Sequence, residues 1–210
     1  MKPLSAFYSR ILPYLPGCSE PLAAQVLIDS AIEFCEDSLT LRQNLATFST
    51  VVGQAQYALE PPTAQHDISR VMGVTLDGAE LAAGLIEVIR GDLQTAVAKP
   101  RGFYIDRTDS TFMLTLAPPP DQVYSVVVNV ALRPTRSATM LDDDLYNIWI
   151  DPIVANAIAR AMEIPGQPFS NPALASVFSV DAARGTISAR IEGNYSSVRG
   201  SMRVRSRPFA

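Results

Sequence analysis

The chain has 210 residues, of which 48% are hydrophobic and only 18% are charged, and its net charge is −4. This composition excludes a disordered polar chain, and two cysteines cannot make a disulfide framework. A single histidine leaves almost no room for His-based metal sites or catalytic triads. No apolar run reaches the about 18 residues of a membrane span, and no signal peptide is evident. Among the 17 basic residues only Lys2 and Lys99 are lysines, which suggests either a surface-covering subunit of an assembly or a GC-rich genome.

Residues 1–18 contain prolines and glycine and are predicted to form a short arm before the first helix. Ser19 suits the N-cap position, with Glu20 and Pro21 in the first turn, so we expect a helix from Ser19 to about Asp37. Apolar residues at helical spacing form one stripe of this helix, and acidic residues occupy another side. The stripe comprises Ala24, Leu27, Ile28, Ala31, Phe34 and Cys35, and the acidic side comprises Gln25, Asp29, Glu33 and Glu36.

The middle of the chain, about 39–137, has the short apolar runs and turn signals of β-structure. Strands are predicted near residues 45–52, 56–59, 68–76, 102–106, 111–116 and 124–132. Asp77-Gly78 between apolar runs is typical of a two-residue hairpin turn, and residues 108–110 are expected to join a second hairpin. About seven short strands with regular turns predict a small antiparallel sandwich or barrel.

The C-terminal third is predicted to be helical again. Asp142-Asp143-Asp144 is expected to cap a short helical segment rather than bind a metal. Asp151-Pro152 and Asn171-Pro172 are expected to begin two further helices. The first of these has an apolar stripe, and each bundle helix is expected to bury its stripe against the others. The stripe comprises Ile150, Val154, Ala157, Ile158 and Ala161. The last runs to about Gly193, with Leu174, Val177, Phe178, Val180 and Ile187 as its apolar residues.

These signals predict an α+β fold in which a bundle of three main helices carries an inserted antiparallel β-domain and an extended C-terminal tail. The expected divisions are an arm and first helix over 1–38, the β-domain over 39–140, bundle helices over 141–194 and a basic tail over 195–210.

The tail is the one segment whose sequence indicates a specific function. It carries four arginines and no acid, so its net charge is +4 and that of the remaining chain is −8. Its alternating residues could add a strand to a partner's sheet, lie in an acidic groove or bind phosphates, and a solvated disordered end is the alternative. The candidate docking residues are Tyr195, Arg199, Met202, Arg203, Val204, Arg205, Arg207 and Phe209.

No motif in the chain indicates catalysis or a bound cofactor. P-loop, dinucleotide-binding, nucleophile-elbow and Cys-x-x-Cys patterns are all missing from the sequence. His66 is expected to be a solvated loop residue, and Cys35 a small buried hydrophobe.

The order of several segments resembles that of head-to-tail adaptor proteins of tailed bacteriophages. The similarity covers about 10–194, and its order and spacing carry it rather than one motif. The segments are Ile11–Leu22, Ile28–Glu36, Val52–Tyr57, Leu76-Asp77-Gly78, Val130–Pro134 and Ile164–Pro172.

This resemblance implies a structural protein without catalysis, metal or cofactor, located in the virion neck and assembled in the host cytoplasm. Such adaptors form a ring of self-copies, commonly a dodecamer, between the portal protein and a tail, nozzle or stopper protein. The ring completes the head and continues the channel through which viral double-stranded DNA passes without sequence-specific binding, and no membrane is involved. Docking of the portal by the basic tail is our inference, because the tail has no residue-by-residue match to the family.

An acidic wall would let DNA slide without sticking. We therefore expect Asp29, Glu33 and Glu36 to face the channel, with an ordinary solvated helix face as the alternative. Two other functions remain open at this point: another neck or tail component, such as a stopper or tail tube protein, and a ligand-binding β-domain protein. The first would be mainly β, and the second would need a deep pocket with convergent polar groups.

Overall fold

A computed structural model describes residues 1–84, 97–108 and 111–195, and these form a mixed α+β structure. The described helices are α1 (Ser5–Ile11), α2 (Glu20–Ser38), α3 (Asp143–Asn147), α4 (Ile150–Met162) and α5 (Pro172–Tyr195), with a 3₁₀ turn at Leu12–Tyr14. The described strands are β1 (Lys2–Pro3), β2 (Arg42–Asn44), β3 (Phe48–Ser49), β4 (Gln56–Leu59), β5 (His66–Leu76), β6 (Ala79–Glu80), β7 (Ala82–Ala83), β8 (Gly102–Thr108), β9 (Thr111–Ala117), β10 (Ser125–Pro134) and β11 (Met140–Leu141). The α+β class is confirmed, although the described residues hold five helices where three main ones were predicted.

The N-terminal segment differs from the predicted arm because it is folded into the helical core. Phe7, Ile11 and Leu15 are buried at spacings of four residues, one turn apart. β1 pairs antiparallel with β11, which ties this segment to the end of the β-region. Pro13 and Pro16 follow α1, where they prevent the helix from continuing and shape the turn after it.

The helices pack on one another, and the apolar stripes of α2 and α4 face this packing as predicted. α2 begins after Ser19, contacts α4 and α5, and buries the predicted stripe together with residues on a second side. In α4 the predicted apolar residues are buried, but the helix starts at Ile150, before the expected cap. The Asp151 carboxylate instead accepts a hydrogen bond from Arg10 at 2.9 Å. Asn171 is a true cap, because its Oδ1 accepts the Leu174 N–H at 3.1 Å.

The β-region contains two sheets that bury one common core. The first has the order β2-β10-β5-β6, with β3 also on β10, and the second has the order β4-β9-β8-β7. Alternate residues of β5 and β10 from the first sheet meet residues of β4, β8 and β9 from the second. All pairs are antiparallel except β7–β8, so the antiparallel character holds, while closure as a sandwich or barrel stays a prediction.

The hairpin signals were the most reliable part of the β prediction. Asp77 and Gly78 both have positive φ, 48° and 79°, as a type I′ turn requires, and Leu76 faces Ala79 across it. β8 and β9 pair with Thr108 opposite Thr111, and Asp109 and Ser110 lie outside the described residues. The predicted strand over 45–52 was wrong in extent, since only residues 42–44 and 48–49 pair with β10.

The helical and β parts meet where α2 packs against β10. Leu41, which follows α2, is packed against both hydrophobic cores. Within the described ranges, no helix combines the length and hydropathy needed to cross a bilayer.

Candidate functional site

The acidic side of α2 is an ion-pair face directed at neighbouring elements of the same chain. Arg133 on β10 lies between two carboxylates, donating from Nη1 to Glu36 of α2 and from Nη2 to Asp67 of β5 at 2.7 Å. Burial lowers the pKa of Arg133, but the hydrogen bonds that it donates to Asp67 and Glu36 outweigh this effect, so the net pKa is raised. This guanidinium therefore joins the helical part to the sheet.

The other two acids of this face, Glu33 and Asp29, are also paired with arginines. Arg160 of α4 donates to Glu33 at 2.8 Å, and Asn156 donates to the same oxygen. Burial raises the pKa of Glu33, yet these hydrogen bonds and the Arg160 charge lower it more, and the net shift is downward. Asp29 accepts a hydrogen bond at 2.8 Å from Arg136, in the loop after β10.

The structure thus gives Asp29, Glu33 and Glu36 a role that the sequence pattern did not reveal. All three remain partly exposed, and each is neutralised by a nearby cation. Their placement on a channel wall stays a prediction.

His66 and the Asp142-Asp143-Asp144 run form contacts that correct two expectations. His66 is the first residue of β5 and is buried, not solvated, because its Nε2 lies 2.6 Å from Asp142 Oδ2 and its Nδ1 lies 2.8 Å from Thr63 Oγ1. Asp142 stands at the N-cap of α3 but its side chain makes no cap hydrogen bond, since it binds His66. Asp143 pairs with the Met1 amine at 2.8 Å. These polar groups hold β5 and the N-terminal segment to the start of α3.

Large apolar residues of α5 are exposed, contrary to the expectation that each helix buries its apolar stripe. Val177, Val180, Ile187 and Ile191 are each between 52% and 57% exposed, and only Phe178 of the predicted set packs on the core. We call the outward side of α5, with Ala173, Val177, Val180, Arg184, Ile187 and Ile191, the α5 outer face.

The buried side of α5 consists of small residues instead. Ala175, Ala182 and Ala189 recur every seven residues and are buried against the rest of the bundle. At Gly185 an added Cβ would lie 2.6 Å from Cβ of Pro152, so α4 and α5 approach closely there. Close approach through alanine and glycine leaves the bulky side chains of α5 pointing outward.

A second exposed apolar group lies in loops of the β-region. Val51, Val52 and Val123 are all more than half exposed. Thr50 joins their two loops, because its N–H donates to the Tyr124 carbonyl at 2.9 Å and its hydroxyl donates to the Gln122 carbonyl at 3.1 Å. These two apolar areas, one on a helix and one on loops, are separate on the surface of the described residues.

Grooves in the described part of the chain are open, and apolar and charged side chains line them together. One of about 430 Å³ lies between α1, α4 and Phe178, and another of about 380 Å³ lies between Trp149, Ile148 and Leu41. Within residues 1–84, 97–108 and 111–195 no group of three His, Cys, Asp or Glu residues could hold a metal ion. Both free cysteines have raised thiol pKa values because of burial, which makes them poor nucleophiles.

A model of the SU10 adaptor protein family matches residues 4–205, almost the whole chain. The chain belongs to this family. No curated protein matches it closely. As an adaptor, the chain is a structural component of a phage virion that contacts other head and tail components. The resemblance to phage head-to-tail adaptors is confirmed.

The family match extends beyond α5 into the basic tail. Of the predicted docking residues only Tyr195 belongs to a described element, as the last residue of α5. Arg199, Met202, Arg203, Val204, Arg205, Arg207 and Phe209 lie outside the described residues. Their role in docking stays a prediction.

Proposed function

We propose that this adaptor forms a ring beneath the portal protein, completes the head and joins it to the tail while continuing the DNA channel. The family match over residues 4–205 carries the proposal. The exposed apolar residues in the loops of the β-region support it, because a ring subunit needs contact faces for its neighbours. The ring is a dodecamer in the neck of the virion, and the chain acts without catalysis.

Each of the four proposed units of the chain has its own role in this function. Residues 39–140 are an inserted sandwich or barrel-like domain, residues 1–38 and 141–194 build the bundle, and residues 195–210 dock the portal. The charge separation supports the last assignment, because the tail is +4 while the rest of the chain is −8. Alternating apolar and arginine residues suit both strand addition and contacts with acidic groups.

Truncation after Asn194 tests portal docking. The shortened protein keeps both hydrophobic cores, since the buried residues that form them all precede the cut, so it should fold with unchanged circular dichroism. Binding to purified portal rings, followed by co-sedimentation, should fall at least tenfold. Normal binding by the truncated protein would remove the tail from the portal contact.

The channel-facing role of α2 requires a separate experiment. Asp29→Asn, Glu33→Gln and Glu36→Gln together remove the carboxylate charges at nearly constant size. If these acids line the channel, assembled particles should release DNA more slowly in a salt-dependent manner. A variant that only lowers the melting temperature, with normal DNA release, would leave the acids with their ion-pair role alone.

A further inference from the structure

The α5 outer face carries a heptad repeat that no other described element covers. Its residues follow one another at spacings of 4, 3, 4, 3 and 4, from Ala173 to Ile191. This average of about 3.5 residues is the period of a coiled-coil seam, in which alternate a and d residues pack against a second helix. The opposite side of α5 is already used by Ala175, Ala182 and Ala189 against the bundle.

The α5 outer face is already ordered before a partner binds. Its four large apolar residues are β-branched, so their side chains have few rotamers to lose on binding. α5 is kept helical by its contacts with α4 and α2, and does not need to fold on association. Both properties lower the entropic cost of docking.

We propose that the α5 outer face binds the same face of a second copy of this chain, with the two helices antiparallel. In this register Val177 lies opposite Ile187 of the second copy, Val180 opposite Arg184, and Ala173 opposite Ile191. Each of these layers occurs twice, because a two-fold axis relates the copies. The face is thus complementary to itself.

Charge complementarity selects the second copy and the antiparallel direction. Arg184 is the one charged residue of the seam, and its Nη1 lies 3.6 Å from Oδ1 of Asp181 in its own helix. In the antiparallel register each Arg184 lies beside Asp181 of the other copy, so two cations and two anions alternate at the centre. A parallel pair would instead place the two Arg184 side chains together, flanked by Ala183 and Ser188, which supply no acid.

The contact is expected to be weak and to be limited to two copies. One helix per copy buries less surface than the about 1,200–2,000 Å² of stable complexes, so association in the micromolar range is expected. A face that binds itself stops at two copies and cannot generate a ring. The proposal therefore concerns the free protein and does not depend on the ring or on portal binding, which the tail truncation tests.

Sedimentation velocity of the full chain over a concentration series tests the pairing. The unaltered protein should change from monomer to dimer, and Val180→Asp or Ile187→Asp should raise the dissociation constant at least tenfold. Val52→Asp is the matched control, since Val52 is 54% exposed in the β-region and should leave the dimer unchanged. The proposal is overturned if the unaltered protein is monomeric throughout, or if the Val180→Asp protein dimerises equally well.

A charge exchange tests the central layer without removing apolar contacts. Arg184→Glu should weaken the dimer about tenfold because four acids then meet at the centre. Adding Asp181→Arg in the same chain should restore dimerisation. Failure of this double variant to recover, with normal circular dichroism, contradicts the proposed register.

Disulfide formation tests the direction, in a Cys18→Ser background that removes the partly exposed native thiol. A mixture of Val177→Cys and Ile187→Cys proteins should give a cross-linked heterodimer under mild oxidation. Val177→Cys alone should not cross-link. Efficient cross-linking of Val177→Cys to itself would show a parallel pair and refute the antiparallel one.

Discussion

Arg133 is the residue on which the connection between the two parts of the molecule depends. Its guanidinium donates through Nε and Nη2 to Asp67 and through Nη1 to Glu36, which come from a strand and a helix. A planar group with several donors can satisfy two carboxylates at once, which an ammonium group cannot do with the same geometry.

Arg133→Ala should lower the free energy of unfolding by about 1–3 kcal/mol, because two partly buried carboxylates lose a charged donor. Arg133→Lys should recover only part of this loss. Urea unfolding measures both effects, with Arg136→Ala as control, since that arginine is exposed and its one ion pair among the described residues is with Asp29. The control should change stability by less than about 0.5 kcal/mol. Equal effects at the two positions would contradict the special role of Arg133.

The Glu33 carboxylate should make the free energy of unfolding depend on pH in the acid range. Its pKa in the folded protein lies below the ordinary 4.5, because Arg160 and Asn156 donate to the carboxylate. A lowered folded-state pKa adds stability above pH 4.5, and that stability is lost as the pH falls through the folded value. Because Glu33 is about half exposed, solvent screening limits the effect to about 0.5–1 kcal/mol.

Glu33→Gln should therefore be less stable than the unaltered protein at pH 7, and the difference should shrink as the pH falls below 4.5. Urea unfolding at a series of pH values gives the difference, and Glu60→Gln, at an exposed position after β4, is the control. A difference that persists unchanged at pH 3 would show that the loss comes from packing rather than from charge.

At the scale of elements, the close approach of α4 and α5 depends on Gly185. Gly185→Ala gains up to about 1 kcal/mol of helix propensity, but its Cβ would meet the Pro152 ring at 2.6 Å. Overpacking of this kind costs about 1–3 kcal/mol, so we expect a net loss of stability of about 1 kcal/mol. Ser188→Ala, on the exposed side of the same helix, should be neutral. A more stable Gly185→Ala protein in thermal unfolding would show that the helices can separate there without cost.

α5 also shows why periodicity alone does not decide which face of a helix is buried. The sequence pattern correctly predicted the N-cap of α5, but it predicted a buried apolar stripe of Leu174, Val177, Phe178, Val180 and Ile187. The alanines at every seventh residue and Gly185 carry the opposite signal, since small residues allow two helices to approach closely. Single-sequence analysis weighs hydrophobicity above size, and here size decided the packing.

Elsewhere, short-range sequence signals were sufficient to predict features that depend on residues close together in the chain. The Asp77-Gly78 turn followed from backbone preferences of two residues, and the buried stripes of α2 and α4 followed from helical spacing. The contacts of His66 with Asp142, and of Arg133 with Glu36, join residues 76 and 97 positions apart. No short-range pattern could have shown these pairs, so the acidic side of α2 looked like a free surface.

At the scale of the whole molecule, the described residues build two hydrophobic cores, which meet where α2 packs on β10 and where Leu41 contacts both. The ion pairs of Arg133 and Arg136 lie along the same junction and connect the sheet to the acids of α2. Because both packing and charge cross the boundary, the two parts should unfold together. Calorimetry should give one transition, and two resolved transitions would show that the junction is weaker than its contacts indicate.

The placement of β1–α2 before the β-region and α3–α5 after it has a consequence for the newly made chain. Glu33 cannot pair with Arg160 until that residue has been synthesised, 127 residues later. At a synthesis rate of about 5–20 residues per second, this takes about 6–25 s. During that time the side of α2 that will face α4 has no partner, while the strands can already pair and β10 can cover the other side. We therefore expect the β-region to fold first on the ribosome, and the helical core to close only when the last third of the protein has emerged.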